Sequence, residues 1–223
     1  MNSPFISVIL IQFYLYESVE QKANMDAVSS LALASSLSWA SGLRLYATVC
    51  IIGLLAKFNY IHLPKSWDIL SDPIVISVAG ILMIIEFLAD KIPYFDSAWD
   101  SIQTFIRIPA GALLAMGAIN SNDPMIATIA ALLGGSLTGL THATKAGSRA
   151  LINTSPEPVS NIAASFGEEG LLLGGGWLAL THPMVFIGVL IFFVLVMLWL
   201  IPKLWRGIQS ALVHIGKVNR QND

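Results

Sequence analysis

Apolar residues in this chain come in unbroken blocks rather than alternating with polar ones. Residues 74–89, 108–119, 125–140 and 184–201 are each nearly free of charge. A helix rising about 1.5 Å per residue needs roughly 20 such residues to cross a hydrocarbon layer about 30 Å thick. With their polar flanks, the blocks therefore predict membrane helices. A β-barrel would show in-out alternation instead. The pattern predicts an all-α, polytopic helical membrane protein of about six segments, at roughly 27–56, 73–90, 104–121, 125–143, 159–180 and 183–202.

Two of these segments are irregular. The first would be about 45 Å long as one helix, so it must tilt, project or break, and "SGLR" at 41–44 is the natural breaking point. The fifth, "FGEEGLLLGGGWLAL", holds Glu168 and Glu169 within its apolar run. A broken or re-entrant segment is expected there.

Composition supports the membrane reading. The 223 residues are 55% hydrophobic and only 12% charged, with a mean hydropathy of +0.71. A soluble domain of that size carries more charge to hold its surface in water. The single cysteine, Cys50, excludes an internal disulfide. Residues 5–16 look like a signal sequence, but no basic flank precedes them and Glu17 and Glu20 follow. Residues 1–24 read as an N-terminal extension before a translation start at Met25, or as an interfacial helix. Residues 25–209 form one membrane domain, and 210–223 a basic tail.

Basic residues set orientation. Lys203, Arg206, Lys217 and Arg220 follow the last segment, which predicts a cytoplasmic tail. Counting back puts both termini in the cytoplasm, with the inner or plasma membrane of a bacterium as the expected location. No basic domain that could bind nucleic acid is present.

Short matches predict a duplication. "ASGLR" (40–44) and "KAGSR" (145–149) lie 105 positions apart, and "IPYFDSAWDSIQ" (92–103) resembles "IPKLWRGIQ" (201–209). Two halves, 27–121 and 125–209, with three segments each, would be inverted repeats like those of secondary transporters.

Three longer stretches, "SGLRLYATVCIIGLLAKF", "ADKIPYFDSAWDSIQTFIRIPAGALLA" and "HATKAGSRALINTSPEPVSNIAASFGEE", resemble the membrane family catalogued as domain of unknown function 4126. The resemblance covers about 27–202. It implies a small integral membrane protein and names no reaction.

The polar clusters carry the chemistry. Asp96 and Asp100, four apart, share a helix face and are weak candidates for a Mg²⁺ or Ca²⁺ site. The bland reading makes 92–103 an interfacial helix with those aspartates in water, and 90–107 a connection along the headgroups. Arg107, beside the Pro109 turn, suits a phosphate or carboxylate ligand. His142, Lys145, Arg149 and Asn153 follow helical spacing on one face. Glu86, Glu168 and Glu169 are carboxylates within apolar segments, where an unpaired charge is costly.

Together these residues predict movement of a small ion, or of an anionic, phosphate-bearing solute or lipid, across the membrane. Arg44, Arg107, His142, Lys145, Arg149 and Asn153 are the expected substrate contacts, and Glu86, Glu168 and Glu169 the ion-coupling groups. Membrane lipids and a second copy of the chain are the expected partners. A structural protein that acts through small-residue faces such as "AGALLAMGA" is the alternative. A lipid enzyme ranks third, because the zinc-protease, nucleophile-elbow and P-loop motifs are all missing. No cofactor motif is present.

Overall fold

The computed structural model describes residues 4–61, 63, 65–92, 95–119, 121–154 and 158–221, with side chains over 27–61, 63, 67–92, 95, 98–119, 121–154 and 159–210. Among them there are six α-helices and no strand: α1 (Pro4–Lys57), α2 (Pro73–Ala89), α3 (Phe95–Ile119), α4 (Pro124–Ile152), α5 (Pro158–Thr181) and α6 (Pro183–Gln221). A short 3-10 helix, Lys65–Ser71, joins α1 to α2. Proline opens α2, α4, α5 and α6, at a position where its missing N–H costs nothing. Asp72 and Asp123 cap α2 and α4 by accepting the amides of Ile74 and Met125 at 2.7 and 2.8 Å.

The chain is a helical membrane protein. Four stretches, Ala27–Lys57, Ala98–Ile119, Pro124–Ile152 and Pro183–Ser210, are long and apolar enough to cross a bilayer. α2 is apolar but shorter. The bundle's outer surface is greasy: Ile74, Ile81, Phe105, Leu133, Phe192 and Trp199 are all exposed. Its interior holds Arg44, Glu86, Asp90, Asp100, Arg107 and Arg149, each at 1% exposure or less. That distribution is the reverse of a water-soluble protein's and suits a lipid surround.

The expected break in the first segment falls at Arg44, the one residue of α1 with non-helical backbone angles (φ −149°, ψ 89°). The helix does more than bend there. Leu33, Leu37 and Ala40 before the break, and Thr48, Ile52 and Leu55 after it, line one cavity of about 120 Å³ against residues 172–180 of α5. In a continuous helix Leu33 and Leu55 would stand about 33 Å apart, whereas 172–180 covers only about 12 Å. The chain therefore folds back on itself, with 27–43 and 45–57 side by side as a re-entrant hairpin and Arg44 at its tip. Ala34 and Leu37 accordingly share a buried cluster with Leu45 and Ile52.

The hairpin fixes the ends of the bundle. Leu31 lies with Ile119 and Ile126 at the α3–α4 turn, and Trp67 of the 3-10 helix packs on Gly117 of α3. Both ends of the hairpin thus sit at one end of the bundle. The end of α6, where Gly207 meets Leu151 of α4, is at the other. Two sequence expectations change. α5 runs unbroken through Glu168 and Glu169. α3 starts at Phe95, so the stretch expected along the headgroups is the first part of a long helix.

Candidate functional site

The hairpin tip points into a cluster of ion pairs supplied by α1 to α5. Arg44 Nη2 lies 2.9 Å from Asp90 Oδ2 at the end of α2 and 3.4 Å from Glu168 Oε2 of α5. Its Nε is 3.1 Å from Glu169 Oε1, and Nη2 donates to Ser165 Oγ at 2.8 Å. The Phe87 ring covers the guanidinium at 5.7 Å. Lys91, in the turn after α2, holds its ammonium 2.8 Å from the centre of the same ring. Burial pushes the Lys91 pKa below its ordinary value, and Arg44 pushes the same way.

α4 supplies the next layer, on the face its spacing predicts. His142, Lys145, Arg149 and Asn153 are all buried. Lys145 Nζ donates to Asp90 Oδ2 and to the Leu43 carbonyl, both at 3.1 Å, and lies 3.4 Å from Glu168 Oε2. Arg149 donates from Nε and Nη2 to the same oxygen, Glu168 Oε1, at 3.1 and 2.9 Å, which are charge-assisted bonds. Its Nη1 bonds the Asn161 carbonyl at 3.0 Å, and Asn161 Nδ2 donates to Asn153 Oδ1 at 2.8 Å.

Arg107 forms the second half of the cluster. It pairs with Glu86, lies 3.3 Å from Asp100 Oδ1, and meets His142 Nδ1 at 3.0 Å. The other His142 nitrogen faces Thr104 Oγ1 and the Asp100 carbonyl at 2.8 and 3.1 Å. The irregular backbone Arg107 reaches is not the Pro109 turn of its own helix. Its Nη1 donates to the carbonyls of Gly42 and Leu43, each at 3.4 Å, just before the reversal in α1. A guanidinium is a sound donor for carbonyls that the end of a helix leaves unpaired.

Asp100 is not in water, as an interfacial helix would have it. It is buried against Arg107 and Lys145. The Asp96 side chain lies outside the described residues. Among those described, no three His, Cys, Asp or Glu side chains are placed to hold a metal ion. The interfacial reading failed because α3 turns its polar side inward and leaves Ile102 and Phe105 exposed.

All nine residues expected to bind substrate or couple ions belong to this cluster. The sequence groups Asn161 with His142, Lys145, Arg149 and Asn153 but does not place Asp90, Asp100 or Ser165 with them. Asn161, Ser165 and Glu168 follow i, i+4, i+7 on α5, and that spacing was the available signal. Four cations (Arg44, Arg107, Lys145, Arg149) face five carboxylates (Glu86, Asp90, Asp100, Glu168, Glu169). The near balance keeps so much buried charge tolerable, since an uncompensated ion costs several kcal/mol.

Glu168 and Glu169 form the edge of the cluster, at 12% and 27% exposure. A half-open crevice of about 290 Å³ between α1, α4, α5 and α6 ends there, at Lys145 and Glu168.

The chain belongs to the family described as Domain of unknown function (DUF4126), whose model matches residues 31–203 and so contains every residue of the cluster. It matches no curated protein and no solved structure.

Proposed function

We propose that the protein is a proton-coupled carrier that moves a small anionic, phosphate-bearing solute or lipid head across the membrane. The observation behind this reading is that Arg44, Lys145 and Arg149 all reach one carboxylate, Glu168, at the edge of the cluster. With Glu168 ionised, the three cations are occupied. A proton on Glu168 cancels its hold, and a phosphate or carboxylate from outside can take its place on the guanidinium forks. An anion entering alone would add negative charge to a cluster that already holds five carboxylates against four cations, and the proton on Glu168 offsets that charge. Proton and anion then move together.

The setting fits that role. Carriers commonly hold their sites where a broken helix meets the membrane interior, and Arg44 stands at the tip of such a break. We read the Arg44 and Arg149 stretches as a duplicated anion contact. The reversal in α1 has no counterpart in α4, which runs on past Arg149 to Ile152, so the likeness does not extend to the helix path. Lys203 and Arg206 put the end of α6 in the cytoplasm. The re-entrant hairpin then puts Ala27 on the opposite face.

The test is uptake into proteoliposomes that contain a pH-sensitive dye, with inorganic phosphate and glycerol 3-phosphate as probes. Anion entry should bring protons with it and rise as the external pH falls. Glu168→Gln should remove the pH dependence, and Arg149→Ala should abolish entry. If both variants behave as the unaltered protein does, the reading is wrong.

A further inference from the structure

The crevice beside Glu168 has a composition of its own. It is lined by Leu171, Phe193 and Met197 and by Ala164 and Gly167, and it reaches the cluster at Lys145 and Glu168. A side chain built on Gly167 would meet nothing within 4 Å, so the wall is open at that point. Leu171, which lines the crevice, is itself exposed and apolar, and so is Phe192 beside Phe193. Anything that enters from this side comes through hydrocarbon, not from water.

Size narrows the occupant. At about 30 Å³ per water-sized group, 290 Å³ holds roughly ten non-hydrogen atoms. That matches the glycerol phosphate portion of a lipid and is too small for its acyl chains as well. The chains would stay outside, along the apolar surface of α5 and α6. At the inner end, the Lys145 ammonium and the Arg149 guanidinium lie 3.4 and 2.9 Å from the Glu168 carboxylate, on its two different oxygens. A phosphate that takes the place of that carboxylate meets both cations.

We propose that the crevice is a lateral entry site for the head of an anionic glycerophospholipid, with Lys145 and Arg149 as its phosphate contacts and Gly167 as its doorway. The proposal rests on the carrier reading and deepens it, by naming a membrane lipid as the substrate and the lipid phase as its route. A water-soluble phosphate has the same chemistry at the inner end but gains nothing from the apolar lip.

The full chain in detergent is heated with dioctanoyl phosphatidic acid, dioctanoyl phosphatidylcholine or inorganic phosphate, and the unfolding midpoint is followed. Phosphatidic acid should stabilise the protein at concentrations about tenfold or more below those at which the other two act, as expected for a charge-assisted contact. Gly167→Phe, which fills the doorway, should lose that stabilisation. Gly188→Phe, on an equally open site of α6 away from the crevice, should keep it. The proposal is overturned if inorganic phosphate stabilises as well as the lipid does, or if Gly167→Phe responds like the unaltered protein. Liposome uptake separates the two readings. If phosphate still enters while Gly167→Phe keeps the stabilisation by phosphatidic acid, the lateral site fails and the carrier stands. If the lipid binds through Gly167 while no anion or lipid crosses, the carrier fails and the site stands.

Discussion

Arg44 and Asp90 meet at 2.9 Å with exposures of 1% and 0%, and this pair ties the tip of the α1 hairpin to the end of α2. Asp90 also takes the Lys145 ammonium at 3.1 Å and lies 3.7 Å from Arg149. It is therefore the common partner of three buried cations. Asp90→Asn keeps the shape and removes the charge. Breaking a buried pair from one side costs about 3–5 kcal/mol, so the unfolding midpoint of the purified protein should fall sharply. If Asp90→Asn matched the unaltered protein in stability, the pairing would carry no weight.

The hairpin has a direct distance test. Spin labels at Leu33→Cys and Leu55→Cys, in a Cys50→Ser background, report the separation of the two halves of α1. A straight helix puts the backbones about 33 Å apart. The shared cavity of these residues requires a distance far shorter than that. A single long distance near the straight-helix value would remove the re-entrant tip and the topology built on it.

Much of this arrangement was legible in the residues. The helix count, the break at "SGLR" and the inward face of His142, Lys145, Arg149 and Asn153 all follow from length and periodicity. The direction of the polar face of α3 did not. Helical spacing groups Asp100, Gln103 and Arg107 on one side and Phe105 and Ile106 on the other, but it does not say which side meets the protein. In water the polar side faces out. In lipid the order inverts, and only the partners Glu86, His142 and Lys145 on other helices decide it. The reversal at Arg44 was hidden for a similar reason. A break can be read locally, whereas a fold-back shows only where residues such as Leu33 and Leu55, 22 residues apart, line one cavity.

Close packing at the tip gives another prediction. A methyl group on Gly42 would fall 2.6 Å from Thr141 Cβ and 2.7 Å from the Thr138 carbonyl, so α1 approaches α4 where only glycine fits. Gly42→Ala should cost about 1–3 kcal/mol through forced separation of the helices. Gly188→Ala, with open space around it, should be neutral or gain up to about 1 kcal/mol from helix propensity. Thermal unfolding of the two variants side by side checks the contrast. Equal shifts would mean that the α1–α4 contact is looser than described.

Orientation can be settled with three cysteines. Ala27 and Asn122 belong to the same end of the bundle, and Gln209 to the other. Cys50 is buried and should stay silent toward a membrane-impermeant maleimide. In right-side-out vesicles, Ala27→Cys and Asn122→Cys should label at once, and Gln209→Cys only after the membrane is opened. This pattern follows from a hairpin that enters and leaves by one face, followed by an odd number of crossings through α2 to α6. A straight first helix would put Ala27 and Gln209 on the same face. Simultaneous labelling of those two would therefore contradict the hairpin, whichever face they share. The reverse pattern, with Gln209→Cys alone reacting from outside, would keep the hairpin but overturn the orientation taken from Lys203 and Arg206. Proton and anion gradients in the uptake assay would then have to be applied in the opposite sense.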